Sequence, residues 1–200
     1  MEVKRTQAQR SAATQAALVA AARPLFAEHG YAAISTDQIA RAAGVTRGAL
    51  YHQFSGKEEL FAAVVEQIEE EIAARIGADI AAAAPTDTEA MIRANIDAFL
   101  AACAEPEVHR IALIEAPAAL GWERWREICF RYGVGNVEMA LQALMDAGLV
   151  ADQPVRPLAH VVAGALDEAA LYAARAKDRE VATRDVREAL IALVTGLLTR

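Results

Sequence analysis

Apolar residues recur at three- and four-residue spacing along nearly the whole chain, and no segment keeps the strict alternation of a half-buried strand. Over residues 12–29, Ala17, Leu18, Ala21, Leu25 and Phe26 form one face of a helix. Pro24 removes a backbone donor inside it and predicts a kink, and Gly30 ends it. Ser35 and Gln38 fit an S-x-x-Q capping box that opens a short helix over 36–43. Gly44 ends that helix, and Thr46 caps a second one over 47–53. A long helix follows from Lys57 to about residue 84, stopped by Pro85-Thr86-Asp87. Further helices are predicted at about 88–104, 107–116, 123–147, 157–177 and 183–199. Gly133 and Gly135 predict a break within 123–147.

Composition supports an all-α fold. Alanine, the strongest helix former, fills 49 of the 200 positions. Cys103 and Cys129 are the only cysteines, which excludes a disulfide-stapled scaffold and fits a reducing cytoplasm. No uncharged run approaches the roughly 18 apolar residues of a membrane span. The charged start at Glu2, Lys4, Arg5 and Arg10 argues against a signal peptide.

Charge is unevenly spread. Net charge is −7, yet residues 1–57 hold seven basic residues against three acidic ones, and the remainder hold 13 against 24. A basic head on an acidic body suits a protein that meets a polyanion with its head alone.

The 36–53 block is short helix, Gly-Val turn, short helix, which is helix-turn-helix spacing. Ile39, Ala40 and Ala43 point the first helix inward, and Leu50 and Phe54 do so for the second. Thr46, Arg47, Ala49, Tyr51 and His52 remain outward. Hydroxyls reach phosphates, Arg47 can pair with guanine, and Ala49 can touch a thymine methyl. Gly48 lets the backbone approach closely, and Lys57 opens the next helix where a phosphate could be clamped.

The run from Ser35 to Phe54, with Gly30-Tyr31 before it and Lys57-Glu58-Glu59-Leu60 after it, resembles the DNA-binding head of the TetR family of bacterial transcriptional regulators. The resemblance covers about residues 12–60. It implies a three-helix head over residues 1–56 and a helical body for ligand binding and dimerisation over 57–200. It implies a homodimer on a palindromic double-stranded DNA operator, usually a repressor, released by a small molecule in the body. By matching position, Thr36, Arg47, Gly48, Ala49, Tyr51, His52 and Lys57 would meet DNA, with Thr46 at the head of the recognition helix. Gln53 stands where the family often has His, and Asp37 where a basic residue is frequent. Asp37 suits a helix N-terminus but would repel phosphate.

In the body, Phe99, Cys103, His109, Leu113, Trp122, Trp125, Cys129, Tyr132, Met139 and Tyr172 are candidates to line a partly hydrophobic ligand site. His109, Glu115, Arg126 and Tyr172 are candidate polar anchors. Val162, Leu166 and Ala170, with Leu190, Leu193 and Leu197, form stripes on the last two helices. With the family resemblance, these are expected to pair as a four-helix dimer interface. The acids Glu66, Glu69, Glu70 and Glu71 read as a solvated face.

No HExxH, GxSxG, P-loop or E-x-x-H pattern occurs, so no enzyme is expected. The four scattered histidines suggest no metal, and no cofactor is expected. The alternatives are a helical adaptor whose head does not bind DNA, and an activator without an effector ligand.

Overall fold

The computed structural model describes residues 6–199. Glu2, Lys4 and Arg5, counted above in the charge of the head, lie outside that range. The described chain is helical, and its only β pairing is a lone bridge between Val150 and Leu198.

Helix α1 spans Gln7–His29. It begins earlier than its apolar periodicity because Thr6 and Gln9 form a reciprocal capping box (3.2 and 2.8 Å). It continues through Pro24. Pro24 and Ala20 are both exposed, so the carbonyl that Pro24 leaves unpaired faces water. Helices α2 (Thr36–Ala42) and α3 (Arg47–Gln53) form as expected. Gly44 takes φ 66° between them, and the Val45 amide donates to the Ala40 carbonyl at 3.0 Å. Ser11 donates to Gln53 Oε1 at 2.9 Å, tying α3 to α1.

Helix α4 (Lys57–Ala83) rises from the head into the body, and α5 (Thr88–Cys103) follows, capped by Asp87. The next two stretches differ from expectation. Residues 106–120 are one helical run: α6 (Pro106–Val108), a π-helical turn (His109–Glu115) and α7 (Ala116–Leu120). Pro117 does not break it, because α-helical pairing restarts at Ala116 after the π turn and Pro117 falls in the first turn of α7.

The pair Gly133 and Gly135 does not break the second stretch either. Helix α8 (Trp122–Cys129) widens into a π turn (Phe130–Val134) and continues as α9 (Gly135–Asp146). A Cβ on residue 135 would sit 2.7 Å from the Phe130 carbonyl oxygen, so the widened turn requires glycine there. Helix α10 spans Val155–Arg175 and α11 spans Arg179–Thr195. Asp178 caps α11, so this helix starts and stops about four residues before the expected 183–199.

Leu18 and Phe26 of α1, Ile39, Leu50, and Leu60 and Phe61 of α4 are all at most 0% exposed and belong to one core that continues into the body. Each such side chain contributes about 1.5–3 kcal/mol by leaving water. A second cluster joins α5, α10 and α11 through Ile92, Ile96, Leu100, Ala170, Leu190 and Ile191. None of the described helices is long and apolar enough to cross a membrane.

Candidate functional site

The outward face of α3 carries a small polar network. Arg47 lies on Asp37 at 3.4 Å and 5.4 Å from the centre of the Tyr51 ring. The Tyr51 hydroxyl lies 3.2 Å from that of Thr36. Asp37 therefore holds Arg47 instead of standing free. An exposed pair of this kind contributes about 0–1 kcal/mol, so a phosphate or base displaces it at little cost. Thr46 accepts from the Ala49 amide at 3.1 Å as the cap of α3. Gly48 and His52 are exposed and Ala49 is half-buried. Lys57 is arranged differently from the free clamp expected. It is half-buried, its ammonium donates to the Tyr31 carbonyl at 3.0 Å, and it lies 4.2 Å from the Tyr31 ring centre.

The end of α1 is gripped by the body. Arg110 donates to the Ala27 and Glu28 carbonyls, each at 2.9 Å, supplying partners to carbonyls that a helix end leaves open. Glu115 accepts the Tyr31 amide at 2.6 Å and pairs with Arg110 at 3.2 Å. Arg23 binds both Glu107 and Glu71 (2.9 and 2.7 Å). Beneath this clamp Phe26, Tyr31 and Phe61 pack ring against ring at 4.8–5.9 Å. Glu115 was a candidate ligand anchor; it serves the head instead. Nothing in the sequence reading pointed to Arg110.

The body encloses a cavity of about 440 Å³ between α4, α5, α8, α9, α10 and the two π turns. That size suits a small organic ligand. Of the residues nominated from sequence, Phe99, Cys103, Leu113, Trp125, Cys129 and Tyr132 line it. Trp125 is fixed by its indole N–H donating to the Ala112 carbonyl at 3.2 Å. The remaining nominees lie elsewhere. Trp122, Met139 and Tyr172 are 65%, 66% and 60% exposed, because each sits on the outer side of its helix. Arg126 stands behind the wall, paired with Asp167 at 3.3 Å and 3.3 Å from His160. His109 is half-buried off the cavity, and its Nδ1 has no partner among the described residues. Burial and the nearby Arg179 and Arg175 hold that imidazole below its usual value.

The cavity's charged groups are not among the residues expected from sequence to line a ligand site. Glu69 lines the space, so the acidic run on α4 is not wholly a solvated face. Burial pushes its carboxyl up to about 7, with the nearby Asp167 adding to the shift. Burial likewise raises Asp167 to about 6, against the pull of Arg126. Both cysteine thiols are raised far above their usual value by burial, which makes them unreactive.

The expected dimer stripe also needs correction. Val162 and Leu166 line the cavity, and Ala170 and Leu190 are buried in the second cluster. Leu197 packs against the main core, and only Leu193, 47% exposed, faces outward. The outward face of α10 presents Val161, Gly164 and Tyr172, and that of α11 presents Ala189, Ala192 and Leu193.

Two family models match the chain. Residues 18–64 match the family model of the bacterial regulatory proteins of the tetR family. Residues 89–197 match that of the tetracyclin repressor-like C-terminal domain. The Transposon Tn10 TetC protein of Escherichia coli is 27% identical over 201 residues, 99% of this chain and 97% of that protein. The HTH-type transcriptional regulator CymR of Pseudomonas putida is 43% identical over 84 residues, 42% of this chain and 41% of its own. A crystal structure of a TetR-family transcriptional regulator from Pectobacterium atrosepticum is 37% identical with a TM-score of 0.79, covering 98% of this chain and 99% of its own. The chain belongs to the TetR family of transcriptional regulators, non-enzymatic proteins that bind DNA through a helix-turn-helix head.

Proposed function

We propose that the protein is a homodimeric repressor that reads a palindromic operator with α3 and leaves it when a small molecule fills the body cavity. One observation carries this reading: the segment that walls the cavity is the segment that grips the head. Ala112 and Leu113 of the His109–Glu115 turn line the cavity. Arg110 and Glu115 of the same turn hold the end of α1 and the Tyr31 amide. Helix α1 in turn carries α3 through Ser11 and Gln53. A ligand that shifts the turn must shift the clamp, and with it the angle of α3. Such packed elements switch between discrete arrangements rather than deforming smoothly.

In this reading Arg47, Thr36, Thr46, Gly48, Ala49, Tyr51 and His52 form the DNA face. Lys57 acts indirectly, by fixing Tyr31 at the foot of the head. The dimer forms through the outward faces of α10 and α11, with Val161, Tyr172 and Leu193 as its exposed apolar residues. Two symmetric heads require half-sites about 34–36 Å apart, or a multiple of that distance.

The test is selection of sequences bound by the purified protein from a random duplex pool. The expected product is an inverted repeat that binds two chains per duplex by sedimentation. An enriched single half-site bound by one chain would overturn the dimer, and no enrichment even at low salt would overturn the DNA reading.

A further inference from the structure

Glu69 lines the body cavity and forms no ion pair among the described residues; Arg126, which pairs with Asp167, favours its charged form without touching it. Among the described residues, the charged ones lining that space are Glu69 of α4 and Asp167 of α10, with no Lys, Arg or His. Asp167 is backed by Arg126 at 3.3 Å. Arg126 in turn lies 5.5 and 5.3 Å from the Trp122 and Trp125 rings, outside the lining. Glu69 receives only the Cys129 thiol, at 3.8 Å, and a thiol is a weak donor. Glu69 is half-buried and lines the cavity. Removing a carboxylate from water without a cationic partner is costly. Burial accordingly holds a proton on it up to about pH 7. A destabilised carboxyl facing a largely apolar space marks a place where a ligand supplies the missing charge.

We propose that the cavity takes an apolar molecule bearing one basic nitrogen, a lipophilic amine whose ammonium lies between Glu69 and Asp167. This rests on the reading of the cavity as the effector site and names the ligand class. An ammonium offers three donors, enough for both carboxylates. Trp125 and Tyr132 add aromatic surface to the wall. Ile72, Ile96, Phe99 and Leu141 receive the hydrocarbon. An anionic ligand of the same shape would meet two carboxylates and no cation in the lining, and a neutral one would leave Glu69 without an ion pair.

The test titrates decylamine, 1-decanol and decanoate separately at pH 8, read by tryptophan fluorescence and calorimetry. These probes share one chain and differ in head-group charge. For the wild-type protein, decylamine should bind at least about tenfold tighter than decanol, with decanoate weakest. Glu69→Gln should remove that advantage while leaving decanol affinity within about a factor of two, which also shows that the variant is folded. Glu70→Gln, at an exposed neighbouring position, should change nothing. If decanol or decanoate binds as tightly as decylamine, or if Glu70→Gln weakens the amine as much as Glu69→Gln, the charge assignment is overturned while the cavity remains a ligand site. If none of the three binds, the effector-site reading falls with it.

Discussion

Glu69→Gln should stabilise the protein at pH 8 by on the order of 2–3 kcal/mol and by less than about 1 kcal/mol at pH 5. The carboxyl of Glu69 is raised from an ordinary 4.5 to about 7 by burial first and by Asp167 second. The folded state therefore binds this proton more tightly than the unfolded state does. The stability that protonated Glu69 permits is complete below about pH 4.5 and is lost as pH rises through 7. Above that, the fold carries a desolvated charge that Arg126, already paired with Asp167, offsets only in part. Glutamine keeps the shape and an oxygen to accept from Cys129, but never ionises. For a chain of this length the pH 8 gain corresponds to a melting temperature several degrees higher. Scanning calorimetry at the two pH values reads the difference. Equal effects at both would show that Glu69 does not titrate between them. Destabilisation at pH 8 would show that the carboxylate has a partner.

Gly30→Ala should cost on the order of 2–3 kcal/mol and loosen the head from the body. Gly30 has φ 85° and ψ 160°, a region open in practice to glycine alone. A Cβ there would also lie 2.6 Å from Glu115 Oε1 and 2.9 Å from Arg110 Nη2. These side-chain ends can swing away, but doing so dismantles the clamp on Tyr31 and the end of α1. Gly44 provides the comparison: φ is 66° and no atom lies within 4 Å of its would-be Cβ. Gly44→Ala should show the backbone cost alone and Gly44→Asn even less, since Asn tolerates that conformation. Thermal melts and limited proteolysis between α1 and α2 measure both positions. If Gly30→Ala melts no lower than Gly44→Ala, the clamp contributes nothing to holding the head.

The head was legible almost residue by residue because its signals are local. Capping boxes, the Gly44 turn and the inward set Ile39, Leu50 and Phe54 each act over three or four positions. The Thr6 and Gln9 box is equally local and was overlooked because the apolar stripe begins later. The π turns were not legible. Gly133 and Gly135 announce a disturbed helix, but a break and a widened turn make the same local demand for glycine. Glu69 was within reach: with Ile72, Ala73 and Ile76 it falls at i, i+3, i+4 and i+7, on the apolar face. The dimer stripe failed for a different reason. Helices α10 and α11 carry small and apolar residues on two sides, and spacing alone does not tell which side the chain's own cavity takes.

The assignment of α3 as the reading helix is tested most directly by Arg47→Ala, using fluorescence anisotropy on a duplex recovered by selection and on a shuffled duplex of equal length. Arg47 is exposed and held only by Asp37 and Tyr51, so its removal leaves the fold intact. The selected duplex should lose about 1–3 kcal/mol of affinity, because a bidentate base contact is lost. The shuffled duplex should lose far less, because it is held through its phosphates. Equal losses on both duplexes, or no loss on either, would contradict the account.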